Sequence, residues 1–266
     1  MFSGFEIQQE LNCAKPYRLY RAVRRRDVRS VLLKTSDQDS SAADRAALVR
    51  SAEILEPLTT MAVLRPCELI QEETVCALVL EDPGGTALDS VLPARALDIV
   101  DSLRIAKQVA EILADLHEQD IVHNNINPSS IWLDGSCNCI ALTDFEQASQ
   151  RSEEVAVPAR VFNHSPAYMS PEQTGRMNRK PDYRTDLYSL GVVLYRMLTG
   201  VLPFDSDGVM QIIHCHIAKQ ARAPHTINPG IPRLLSQLVM KLLAKPFAYG
   251  VRFPARNRFY HLLRWI

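Results

Sequence analysis

Asp186-Leu187-Tyr188-Ser189-Leu190-Gly191, continued through Leu198-Thr199-Gly200-Val201-Leu202-Pro203-Phe204, is the stretch whose reading decides the fold. It falls in a helix expected over about residues 185–199, with further helices at about 208–219 and 231–244. Upstream, Leu103, Ala106, Val109/Ala110, Leu113 and Leu116 repeat at spacings of three and four between Asp101 and Gln119, which defines a helix with one core face. Between them, Ser130-Ile131-Trp132-Leu133 and Cys139-Ile140-Ala141-Leu142 flank an Asp134-Gly135 turn signal and form a small hairpin. The first third reads differently. Tyr17 to Lys34 gives two short β-prone pieces around Arg24-Arg25-Arg26-Asp27, a hairpin whose arginines read as a solvated turn. Ser41 to Leu58 carries Leu48, Ala52, Leu55 and Leu58 at helical spacing, leaving Asp44, Arg45 and Arg50 for solvent. The apolar run Thr74 to Leu80 is a strand, ended by Glu81-Asp82-Pro83-Gly84-Gly85. The expected fold class is α+β, with a strand-rich part over 1–82 and a helical part over 83–266.

The composition excludes several function classes. With 47% apolar and 23% charged residues, the chain is an ordinary globular one. Thirty basic residues balance thirty acidic ones, so no global field favours nucleic acid or an anionic membrane, and neither partner is expected. The start, Met1-Phe2-Ser3-Gly4-Phe5-Glu6, lacks a signal peptide's basic and apolar regions, and no stretch has the length of a membrane span. Cytoplasmic location follows as the expectation, with the six cysteines reduced rather than paired. Cys137/Cys139 and His214-Cys215-His216 lack the two-plus-two spacing of a zinc site.

On that plan, chemistry-bearing residues fall at ordered intervals. Lys34 ends a strand in Val31-Leu32-Leu33-Lys34, and Glu53 lies on the helix that follows. His123-Asn124-Asn125-Ile126-Asn127-Pro128-Ser129-Ser130 precedes Asp144-Phe145-Glu146, and Ala167-Tyr168-Met169-Ser170-Pro171-Glu172 precedes the opening stretch. Together, from about Tyr17 to Lys245, the chain resembles a protein kinase, with a small β-rich N-lobe and a larger helical C-lobe. Ser170-Pro171-Glu172-Gln173-Thr174-Gly175-Arg176-Met177-Asn178-Arg179 with Asp182-Tyr183-Arg184-Thr185-Asp186 narrows the likeness to the N-terminal serine/threonine-kinase-like domains of large bacterial hybrid proteins, which continue into ATPase, GAF and sensor histidine kinase modules. The resemblance implies ATP and Mg as cofactors, and a protein substrate or downstream signalling modules as partners. It gives Lys34 the nucleotide phosphates, with Glu53 as ion-pair partner, and makes Glu81, Asp82 and Pro83 the hinge whose backbone meets adenine.

Departures from the family pattern sit in the chemistry. Asn125 stands where the catalytic Asp belongs, and an amide cannot act as a carboxylate base. Asn127 stands at the loop lysine and Ser130 at the second-magnesium asparagine, which leaves Asp144 to hold a metal, with Ser130 a weak second ligand. Glu146 replaces a glycine and brings a negative charge close to the phosphates, with outward rotation or metal binding left open. No glycine follows Gly4 before Lys34, so the glycine-rich phosphate loop has no counterpart, and Asn12 and Lys15 occupy that region. Asn163-His164-Ser165-Pro166 leaves Ser165 as the one hydroxyl at the substrate-facing position.

After Lys245, Pro246 to Val251 lacks the expected Ala-Glu-Asp-Arg-Tyr, whose arginine would pair with Glu172. Arg252, Arg256 or Arg258 are the candidate substitutes, and truncation or a shifted reading frame is the other explanation for the change of character. The resemblance with its departures implies a degenerate serine/threonine kinase, a pseudokinase with weak ATP binding and a regulatory role. Two alternatives stay open: an active kinase with rearranged catalysis, and a ligand-free scaffold or truncated product.

Overall fold

A computed structural model of the 266-residue chain describes residues 3–245 apart from 15, 38, 61, 73–74, 93–95, 151–164, 178–179 and 207. The chain divides into two compact units, one built from Met1–Gly84 and Thr143–Ala148, the other from Gly85–Leu142 and the chain from Ser149 onward.

Among the described residues, the first unit is a five-stranded antiparallel sheet with one α-helix. Its strands are β1 (Phe5–Ala14), β2 (Tyr17–Arg24), β3 (Arg29–Ser36), β4 (Pro66–Gln71) and β5 (Cys76–Glu81), in the order β1-β2-β3-β5-β4. Strand alternation sends Val31 and Leu33 to one face, where they join Ala22, Ala77 and Val79 in a core capped by Phe5, Tyr20 and Ile70. Leu32 and Lys34 therefore point to the other face, with cross-strand partners Leu80 and Leu78. The expected hairpin between β2 and β3 is present, but Arg24 is buried rather than solvated, its guanidinium forked onto Asp27.

Helix α1 (Ala42–Leu55) starts at Ser41, whose hydroxyl accepts from the Asp44 N–H while the Asp44 carboxylate accepts from the Ser41 N–H. Asp44 is thus a buried cap residue and not the solvent-facing one expected from the stripe. Tyr17 donates its hydroxyl to the Asp44 carbonyl at 2.9 Å and ties the start of β2 to the helix. The helix packs on β5 and on a one-turn 3₁₀ segment at Phe145–Gln147.

In the second unit the elements are β6 (Thr86–Ala87), α2 (Leu88–Val91), α3 (Ile99–Glu118), β7 (Ile121–Val122), β8 (Ile131–Leu133), β9 (Cys139–Leu142), β10 (Ser149–Gln150), α4 (Tyr183–Thr199), α5 (Val209–Ala218), α6 (Pro224–Ile227) and α7 (Arg233–Leu242). The short strands make two small sheets, β6-β8-β9 and β10-β7. Helix α4 is the hub of this unit, buried nearly all round and packed on α3 and α7. Its Gly191 permits that approach: a Cβ there would stand 2.6 Å from Leu242 Cβ, closer than packed atoms come. The helix stops at Gly200, whose φ of 77° is the left-handed cap conformation that glycine adopts freely.

His216 of α5 is fully buried between Phe204 and Tyr188, edge-on to both rings, with its Nδ1 2.8 Å from the Tyr188 hydroxyl. Burial, aided by the nearby Lys245 ammonium, pulls its pKa down from 6.5 to about 4. Lys245 itself donates to the Cys215 and Lys219 carbonyls at the C-terminal end of α5.

A histidine that stays neutral when folded costs stability wherever the unfolded chain takes up the proton first. Folding free energy should therefore be full above about pH 6.5, fall as pH drops towards 4, and level off below. In urea titrations, the loss between pH 7.5 and 5 attributable to this ring is about 2 kcal/mol. It should vanish in His216→Gln, and a variant that keeps the whole loss would exclude this ring as its source.

Candidate functional site

In the first unit the site is built around one buried cation. Lys34 is 6% exposed, and an ammonium can lie so deep only where carboxylates face it. Two do: its Nζ is 2.6 Å from Asp144 Oδ1 and 2.8 Å from Glu146 Oε1, with the Tyr17 ring 5.2 Å away. Desolvation would release the Lys34 proton, but the two carboxylates outweigh it and its pKa moves up. Glu146 is pushed up by its own burial, against the pull of Lys34 and with Asp144 reinforcing it. Asp144 has φ 69°, ψ 48°, a left-handed conformation that aspartate tolerates and that turns the chain into the 3₁₀ segment.

The expected Lys34–Glu53 pair does not form. Glu53 is exposed on α1, and both ion-pair partners of Lys34 come from the 144–146 loop. The reason is helical geometry: residues 47, 48, 51, 54 and 55 form the buried face, and position 53 is rotated about 200° from position 51. Glu146, for which an outward orientation was open, turns inward and is 4% exposed.

At the hinge the side chains are committed within the sheet. The Asp82 carboxylate accepts from Arg21 Nε at 2.8 Å, Ser30 Oγ at 2.6 Å and the Gly84 N–H at 3.0 Å. Burial works against its ionisation, yet these donors together hold its pKa below the usual carboxylate range. Glu81 gives its N–H to the Arg65 carbonyl, and Pro83 has none, so Asp82 carries the remaining backbone N–H of the three. The hairpin before β2 has no glycine, with Ala14 paired to Tyr17; Asn12 is half-buried, and Lys15 lies outside the described residues.

In the second unit a loop is held by its backbone. Asp186, fully buried near the start of α4, accepts from the His123 N–H at 2.9 Å, the Asn124 N–H at 2.8 Å and pairs with His117 Nε2 at 2.8 Å. Gln173 adds a bridge: its Oε1 accepts from the Ser170 N–H, and its Nε2 donates to the Asn124 carbonyl. Within the loop, Asn127 Nδ2 donates to both the carbonyl and the amide oxygen of Asn125, at 3.0 and 3.1 Å. Ser130, fully buried, donates to the Asn127 carbonyl and accepts from the Asn127 N–H, closing a capped 3₁₀ turn led by Pro128. Its hydroxyl is used as a cap.

The residues therefore form two groups: Lys34, Asp144 and Glu146 in one unit; Asn125, Asn127 and Ser130 in the other. The bridging role of Gln173 and the pairing of Asp82 with Arg21 and Ser30 were not read from sequence; the Ser170–Gln173 spacing, a capping-box pattern, is the signal that could have found the first. Glu172 accepts from the Thr185 hydroxyl at 2.9 Å. Residues 246–251, Arg252, Arg256 and Arg258, its expected partners, lie outside the described residues, as do Asn163 and His164. Lys34 fits a nucleotide's phosphates as the buried cation, and Asp144 fits magnesium as an oxygen ligand.

Comparison with known proteins agrees with this geometry. The protein kinase domain model matches residues 17–250, and the chain belongs to that family. A probable serine/threonine-protein kinase of Clostridium perfringens is 31% identical over 197 residues, 74% of this chain and 28% of the relative. Serine/threonine-protein kinase PrkC of Bacillus subtilis is 30% identical over 201 residues, 74% of this chain and 30% of the relative. PknB of Mycobacterium tuberculosis is 27% identical over 254 residues, 91% and 38%. The chain thus spans under two fifths of the length of these relatives. Protein kinases use ATP and Mg²⁺. Among the described residues, no helix is long and apolar enough to cross a membrane.

Removing the Lys34 ammonium should leave two carboxylates facing each other in a buried site. Lys34→Met should lower the urea-unfolding free energy at pH 7.5 by about 3 kcal/mol. The deficit should shrink at pH 5 as Glu146, already raised, takes up a proton.

Proposed function

We propose that this chain is a nucleotide-binding, transfer-impaired serine/threonine-kinase domain that signals through its fold rather than through phosphorylation. The observation that carries the reading is Asn125 in the catalytic-loop position, its amide oxygen engaged by Asn127 Nδ2. An amide has no proton-accepting carboxylate, and loss of general-base help costs about 10²–10⁴-fold. Two further losses point the same way. Asn127 brings no positive charge, and the Ser130 hydroxyl serves as a turn cap. The glycine-free β1–β2 hairpin and the proline in the hinge favour weak nucleotide binding.

Lys34 and Asp144 support retention of a phosphate-side contact and one magnesium. As in the hybrid proteins it resembles, the domain would act on protein partners or on modules of a longer, cytoplasmic signalling protein. The pairing of Lys34 with Asp144 also supports a second reading, slow transfer to serine or threonine by positioning alone.

Thermal unfolding with ATP, with and without millimolar magnesium, separates these outcomes. Occupancy at about 100 times the dissociation constant adds roughly 2.7 kcal/mol and raises the midpoint. The expected result is a magnesium-dependent rise, lost in Asp144→Ala, with radiolabel transfer to a generic protein substrate at background and raised by Asn125→Asp. Robust transfer by the unmodified chain, abolished by Asp144→Ala, would overturn the impaired reading. A cooperative transition unmoved by ATP would leave a ligand-free scaffold.

A further inference from the structure

We propose that Glu146 is the positioning residue for Lys34, taking over from helix α1 the carboxylate that orients this lysine, an inference that rests on the nucleotide reading above for its functional consequence. Three observations carry it. Lys34 Nζ lies 2.8 Å from Glu146 Oε1. Glu53, the carboxylate of α1 that the family resemblance offered, is on the exposed side of the helix. On the buried face of α1, the helix that packs against the 145–147 turn, the one polar side chain past the Asp44 cap is Ser51, 1% exposed, whose hydroxyl cannot neutralise an ammonium.

The consequence concerns control. In protein kinases the lysine partner sits on the helix, so helix position decides whether the pair is made. Here both partners of Lys34, Asp144 and Glu146, sit two residues apart on one loop. Neither contact is made by a side chain of α1, so the helix reaches the pair only through its packing on the 145–147 turn. In place of the glycine expected after Asp144-Phe145, Glu146 brings a second carboxylate to the buried ammonium.

The test reads the lysine itself. Acylation of Lys34 Nζ by acetic anhydride, followed by peptide mass spectrometry, reports how well the ammonium is held; ATP affinity is measured alongside by calorimetry. In the unmodified chain and in Glu53→Gln, Lys34 should be equally protected. In Glu146→Gln, a near-isosteric change, acylation should rise about tenfold. The double variant Ser51→Glu with Glu146→Gly, which returns the carboxylate to the helix, should restore protection, whereas Ser51→Glu alone should not increase it. Unchanged protection in Glu146→Gln, or exposure of Lys34 in Glu53→Gln, would overturn the assignment. Should Glu146→Gln not fold, Glu53→Gln, altered at an exposed position, still decides between the two carboxylates. Absence of ATP binding with this labelling pattern intact would refute the nucleotide reading alone; ATP binding with labelling unmoved by Glu146→Gln would refute the relocation alone.

Discussion

The buried carboxylate of Asp186 is the constraint on which the second unit depends. It accepts two successive backbone N–H groups, from His123 and Asn124, and meets His117 of α3, so one side chain fixes the loop, the helix before it and the helix that carries the aspartate. A fully buried charge with all its donors in place is expensive to disturb, because each lost donor leaves an unpaired charge in an apolar interior. Gln173 extends the hold by bridging Ser170 to the carbonyl of Asn124. These contacts reach the loop through its backbone. The side chains at 125, 127 and 130 do not enter into them, which is why the loop can keep its path while its chemistry changes.

The substitutions in the loop follow from that division of labour. Asn125 has the shape of an aspartate without its charge, and its amide oxygen finds a donor in Asn127. The Ser130 hydroxyl closes the 3₁₀ turn by bonding both the N–H and the carbonyl of Asn127. The Asn125 amide oxygen and the Ser130 hydroxyl are thus both hydrogen-bonded within the loop.

Much of this was legible in the sequence, and the misses have physical causes. Helices α3, α4, α5 and α7 and the β2–β3 hairpin announce themselves by apolar period and turn residues. Strands β1 and β4 do not: β1 is an edge strand of mixed polar residues, Gln8, Gln9 and Glu10 among them, and β4 is an edge strand with Pro66, Glu68 and Gln71. An edge strand with one solvated side lacks the apolar run that betrays a central strand such as β5. Asp44 was misread because a capping box draws an acidic residue inward at a helix start. Glu53 was expected as the partner of Lys34 from the family resemblance, which takes no account of helical phase. Leu48 and Leu55 fix the buried stripe, and five residues beyond Leu48 lies well off it. The compensating role of Glu146 was invisible in sequence, since nothing in Asp144-Phe145-Glu146 says which way the third side chain turns.

Charge neutrality in the interior accounts for the rest of the first unit. Lys34 lies on the face of the sheet where β3 pairs with β5, and its flanking positions on that face are Leu32, Leu78 and Leu80. An ammonium among such neighbours demands a counter-charge within contact distance, and failing to supply one costs about 3–5 kcal/mol, a large share of a domain's stability. Helix α1 offers Ser51 at its buried face and holds its one nearby glutamate in solvent. The counter-charge must then come from the segment packed under the helix, where Asp144 and Glu146 provide it. Two carboxylates around one ammonium overcompensate, and the excess is absorbed by the raised pKa of Glu146, the more deeply buried of the two. With Ser51 buried on the helix and Glu53 exposed, it is the 144–146 loop that supplies the counter-charge of Lys34.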